Sequence, residues 1–105
     1  MSSNTEILKE IKTAIQHEIP DAKIYLFGSR ANGDVHEESD WDILILTQKK
    51  YPKETKWRIQ DRLFPLSLKL STYFDIKLIQ EEEWNNNPGY YSLKLDLSKH
   101  NSLAL

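Results

Sequence analysis

The sequence contains no cysteine, which excludes disulfides and thiolate metal sites and suits a reducing interior, so the cytoplasm is the expected location. Long apolar runs are also missing. None exceeds the four residues of 24–27 or 43–46, and the amino terminus lacks a basic then apolar leader, so neither a membrane span nor a signal peptide is expected. Positive charge is not in excess either: 14 Lys and Arg against 16 Asp and Glu give a formal charge of -2. No overall field draws the chain onto nucleic acid or an anionic membrane, so neither is an expected partner, and any phosphate-handling site must be local. Finally, the 105 residues are few. They suit one domain over 1–105, with 14 Leu and 10 Ile against a single Val for a small core and nothing left for a separate acceptor domain.

What is present is patterned. Ile7, Leu8, Ile11, Ala14 and Ile15 form one apolar stripe, and Ser3 with Glu6 has capping-box spacing, so residues 4–18 read as an amphipathic helix. A short strand over 23–27 stops at Gly28-Ser29, and residues 29–39 are a polar loop. The next strand, over 40–47, places Asp40, Asp42 and Leu44 on one face and Trp41, Ile43 and Ile45 on the other. Residues 52–70 favour a helix that Pro65 kinks or divides, with the alternation of Leu66, Leu68 and Leu70 leaving a strand open there. A strand over 73–79 puts Asp75, Lys77 and Ile79 on one face and Phe74, Ile76 and Leu78 on the other. Glu81-Glu82-Glu83 suits a helix start, residues 85–89 a loop, 90–100 a helix stopped at Asn101, and 102–105 a last short strand. This order suits an α/β (α+β) domain, a small mixed sheet packed on helices.

Asp40-x-Asp42 alone is weak, since about two acid-x-acid pairs arise by chance at this acid content. Context strengthens it: a Gly-Ser turn after one strand, acids entering the next, and Asp75 inside a third apolar strand. Positions i and i+2 on a strand lie roughly 6.5 to 7 Å apart and project the same way, so two carboxylates can share divalent ions. Three converging carboxylates repel one another unless a cation compensates, which points to Mg²⁺; two ions could clamp the attacking and leaving oxygens of a displacement at phosphorus. A glycine at 28 lets backbone approach a phosphate closely, Ser29 adds a hydroxyl, and Arg30 is the nearest cation.

The stretch Gly28-Ser29-Arg30-Ala31-Asn32-Gly33, followed by Ser39-Asp40-Trp41-Asp42-Ile43-Leu44, resembles the Gly-Ser-x-Ala-x-Gly…Ser-Asp-x-Asp signature of minimal nucleotidyltransferases of the DNA polymerase beta-like superfamily. Asp75 in Phe74-Asp75-Ile76 matches the third acid. The resemblance implies a nucleotidyltransferase fold, Asp40, Asp42 and Asp75 as catalytic acids holding two Mg²⁺, and Gly28, Ser29, Arg30 and Ser39 at the triphosphate. Members of this size resemble antitoxins that transfer AMP from ATP to a tyrosine hydroxyl of a HEPN-domain toxin, with which they form hetero-oligomers. Two positions depart from the pattern: Trp41 stands where a smaller aliphatic residue is commoner, and Asn32 replaces a frequent basic residue. A catalytically idle antitoxin acting by occlusion and an enzyme acting on a small-molecule hydroxyl are the alternative functions.

Other residues carry blander expectations. His36 suits a surface position, and His17 and His100 suit helix ends. Lys49, Lys50, Lys53, Lys56, Arg58 and Arg62 suit a solvated face. Trp57, Trp84, Tyr90 and Tyr91 are expected in core or edge packing, with any aromatic exposed near the sheet edge suiting a partner contact.

Overall fold

A computed structural model describes residues 4–27, 41–98 and 103–105. The apolar stripe of the first helix, α1 (Asn4–Glu18), buries Ile7, Ile11 and Ile15, and Ile19 just beyond it joins them. Four isoleucines at i, i+4, i+8 and i+12 thus form one edge of the core. His17 lies in the last turn of α1, where a cation meets the carbonyl ends.

The strands β1 (Lys23–Phe27), β2 (Trp41–Thr47), β3 (Phe74–Gln80) and β4 (Leu103–Ala104) make a mixed sheet in the order β3-β2-β1-β4. β1 runs antiparallel to both β2 and β4, whereas β2 and β3 run parallel. The parallel pair requires a crossover, and α2 (Lys53–Leu70) provides it. Ile24, Leu26, Trp41, Ile43, Ile45, Phe74 and Ile76 face the helices, packing on the α1 isoleucines and on Ile59, Leu63 and Leu66 of α2. The other sheet face has a smaller cluster, Phe27, Leu44, Leu46 and Ile79, under Trp84, Tyr90 and Leu93. Those three come from α3 (Glu81–Asn86) and from a 3-10 turn (Pro88–Tyr90) that leads into α4 (Tyr91–Ser98).

α2 runs unbroken through Pro65, so the division allowed at that residue does not occur and the strand reading of residues 66–70 is excluded. Pro65 and Asp61 are both exposed, so water can satisfy the carbonyl whose helical bond the proline removes. The helix ends at Ser71, whose φ of 50° and ψ of 47° are left-handed; its N–H donates to Leu68 O, and that of Thr72 donates to Ser67 O.

The expected loop over 85–89 is shorter: Asn85 and Asn86 finish α3, and Pro88-Gly89 enter the 3-10 turn. Asn87 Oδ1 accepts from Gly89 N at 2.8 Å, an Asx turn that joins the two. Two aromatic expectations are also corrected, since Trp57 is 58% and Tyr91 65% exposed. Trp57 precedes Ile59 by two, which on a helix turns it away from the buried stripe of Thr55, Ile59, Leu63 and Leu66. Tyr90, not Tyr91, takes the place beside Trp84, with ring centroids 5.8 Å apart. In the basic stretch, Arg58 and Arg62 both reach Glu18 Oε1 at 3.4 Å, tying α2 to α1.

Candidate active site

β2 is buried along its whole length except at Asp42, which is half-buried. In a central strand covered on both faces, one acid among apolar residues is a costly choice unless its charge is used or compensated. The sheet register shows what surrounds it. Asp42 lies directly opposite Asp75 of β3 on one side and Phe27 of β1 on the other. All three project to the face opposite α1 and α2, because Trp41 and Phe74, one residue earlier on their strands, point into the helical core.

This alignment has a local cause. Trp41 and Phe74 are register partners whose rings meet edge to face, 5.9 Å apart at 62°. Trp41 N donates to Tyr73 O at 3.0 Å at the start of the same pairing. Aromatic then acid, repeated on two parallel strands, therefore seats two rings inward and two carboxylates outward together. The Trp that departs from the commoner small aliphatic residue is thus the partner of Phe74. A slip of one residue would bury both acids and expose both rings, so the register is strongly specified.

Parallel strands lie about 4.8 Å apart, so side-by-side aspartates on one face bring their carboxylates within reach of one cation. Asp75 remains 45% exposed, and its Oδ2 accepts from Lys77 Nζ at 3.0 Å. Lys77 follows Asp75 by two on the same face, in register with Leu44. The spacing Asp75-x-Lys77 was visible in the sequence, but the ion pair was not part of its reading.

Asp42 and Asp75 are hard oxygen donors, and that donor set fits Mg²⁺. Among the described residues no three potential ligands converge. Asp40, the first acid of the expected three, lies outside them, as do Gly28, Ser29, Arg30 and Ser39. The fold does fix where that segment begins and ends: it leaves β1 at Phe27, beside Asp42, and returns at Trp41. His36 and His100 also fall outside the described residues.

Two grooves lie elsewhere. One, of about 590 Å³ between α1 and α2, is lined by Lys9, His17 and Arg62, and another, of about 730 Å³, by Phe64, Leu68 and Tyr73. Neither includes an aspartate of the sheet. Chemistry and concavity thus point to different faces, and the paired carboxylates are the more specific sign because shallow grooves between exposed helices need no function.

Comparison with known proteins shows which family the fold belongs to. The "Putative protein adenylyltransferase" of Methanocaldococcus jannaschii is 43% identical over 56 residues, 51% of this chain and 57% of that protein. A crystal structure of a toxin-antitoxin with AMP-PNP is similar with a TM-score of 0.50 at 29% identity, over 69% of this chain and 55% of that one. A solved structure described as a putative nucleotidyltransferase is similar over 94% of this chain and 97% of its own, with a TM-score of 0.54 at 25% identity. The chain thus spans little more than half the length of the first two. The nucleotidyltransferase domain matches residues 8–95, from the first helix through the parallel strands that carry Asp42 and Asp75, and the chain belongs to that family.

Proposed function

We propose that the protein transfers AMP from ATP to a hydroxyl, expected to be a tyrosine, on a partner HEPN-domain toxin, and so acts as its antitoxin. The observation that carries this reading is the register of Asp42 with Asp75, with Phe27, the last described residue of β1, opposite Asp42. The likeness to an adenylyltransferase and to a toxin-antitoxin bound to an ATP analogue supports the choice of nucleotide and partner. Asp40, Asp42 and Asp75 would hold two Mg²⁺ ions, which when bound supply charge compensation for the phosphates. Gly28, Ser29, Arg30 and Ser39 are assigned to the triphosphate, through backbone N–H groups, hydroxyls and one guanidinium.

Transfer forms a bond between the acceptor oxygen and the α-phosphorus and breaks the bond from that phosphorus to the departing pyrophosphate. The acceptor proton leaves to solvent. The work of the chain is to bring the two groups together in line, since positioning alone is worth several powers of ten in rate. The protein partner is favoured by the likeness to a protein adenylyltransferase and to a toxin-antitoxin.

Purified protein, labelled ATP, Mg²⁺ and the toxin should yield labelled toxin, and Asp42→Asn should reduce labelling at least 100-fold. Undiminished labelling by Asp42→Asn refutes the site. Protection from the toxin by Asp42→Asn and Asp75→Asn without labelling would establish occlusion in place of catalysis.

A further inference from the structure

Of the described strand residues beside the two acids, Lys77 alone brings a cation. The residues that β1, β2 and β3 send to the acid-bearing face run Phe27 and Tyr25, Asp42 and Leu44, Asp75, Lys77 and Ile79. Lys23, further down β1, is engaged by Glu81 at the opposite end. Lys77 Nζ lies 3.0 Å from Asp75 Oδ2, and Asp42 is a diagonal neighbour of Lys77 on the adjacent strand. Its side chain is 32% exposed and that of Asp75 45%, so the pair is partly screened but not freely solvated.

We infer that Lys77 is a positioning residue that fixes the Asp75 carboxylate on the face it shares with Asp42 and competes with a divalent cation for the same carboxylate oxygen. The inference rests on the proposed metal role of the two aspartates. Two neighbouring carboxylates repel, and an ammonium bonded to one of them offsets that repulsion while no metal is bound. The same contact opposes metal binding, because the ammonium charge beside that oxygen repels an incoming cation and occupies one of its lone pairs. Lysine suits this exchange: it is a compact point charge on a flexible four-carbon stem, and it can withdraw and turn to a phosphate without disturbing the strand.

The test measures Mn²⁺ binding without nucleotide, from the free-ion signal in electron paramagnetic resonance. Lys77→Met should bind Mn²⁺ about three- to tenfold more tightly than wild type, the range set by removing one partly screened charge at this distance. Lys77→Gln should behave likewise, and Lys77→Arg should restore the wild-type affinity. Circular dichroism confirms that each variant is folded. Unchanged or weaker binding by both neutral variants overturns the inference. Asp42→Asn separates the two levels: if it binds Mn²⁺ as wild type does, or if wild type binds none, the metal site itself is misassigned. If Asp42→Asn loses binding while the neutral Lys77 variants match wild type, only the role of Lys77 fails.

Discussion

The Trp41 and Phe74 pair offers the sharpest test of how the acids come to face one another. Both side chains are 4% exposed, and their rings meet edge to face at 5.9 Å. Replacing Trp41 by Leu keeps the site apolar but removes the larger ring, at an expected cost of about 2 to 3 kcal/mol; Phe74→Leu should cost about 1 kcal/mol. Each kcal/mol lowers the melting temperature of a domain this size by about 4 to 8 °C. Because each single variant already forfeits the ring contact, the double variant should cost less than the sum, by about 0.5 to 1.5 kcal/mol. Urea unfolding followed by far-ultraviolet circular dichroism measures all four proteins, and unchanged slopes license the comparison. At a temperature where every variant is folded, AMP transfer by Trp41→Leu should fall by about tenfold or more, since the carboxylates depend on this alignment. Additivity within about 0.3 kcal/mol, with transfer per folded molecule unaltered, refutes the idea that the rings set the register.

Two further predictions concern the frame. Ser71→Gly should stabilise the fold by about 0.5 to 1 kcal/mol, because φ at Ser71 is 50° and glycine reaches that region without steric cost; chemical denaturation reads the gain. Lys23 is held above its usual pKa, first by its hydrogen bond to Glu81 and then by the charge of that carboxylate. Its folded pKa therefore exceeds the unfolded one, so the contribution of the pair is complete below about pH 10 and disappears as pH rises through the folded pKa. The stability difference between wild type and Glu81→Gln, measured from pH 9 to 11.5, should shrink toward the alkaline end, and a constant difference contradicts the assignment.

Much of this was legible because single-residue periodicity reports which side of an element is covered. The isoleucines of α1 and the alternation of β3 are cases in which apolar identity and burial coincide. In α2 they do not: Phe64 and Leu68 are 58% and 64% exposed, while Leu63 and Leu66 are buried. The spacing of Leu66, Leu68 and Leu70 therefore mimicked a strand by counting an exposed leucine as core. Trp57 misled in the same way, since a large ring can lie on the outside of a helix whose inner stripe is already complete. The acids of the candidate site were recognisable strand by strand, yet their pairing was not. Which residue of β3 stands beside Asp42 depends on how α2 returns the chain, and no local pattern encodes that. The ion pair of Lys77 escaped for a different reason: two charges at i and i+2 share a face in any strand, and only the fold shows the ammonium turned onto Asp75.

The crossover through α2 also governs the order in which the molecule can be made. Hairpin partners such as β1 and β2 are joined by a single connecting segment, but β3 is synthesised only after the whole of α2 and can pair with β2 only across it. Contacts between segments so distant in sequence are closed late, since the entropy of ordering the intervening chain precedes any reward. Asp42 and Asp75 therefore remain separate through the early stages of folding and meet only when the parallel pairing locks. Until then the two cannot face a common cation, so any divalent ion that takes both would reward completion of the fold.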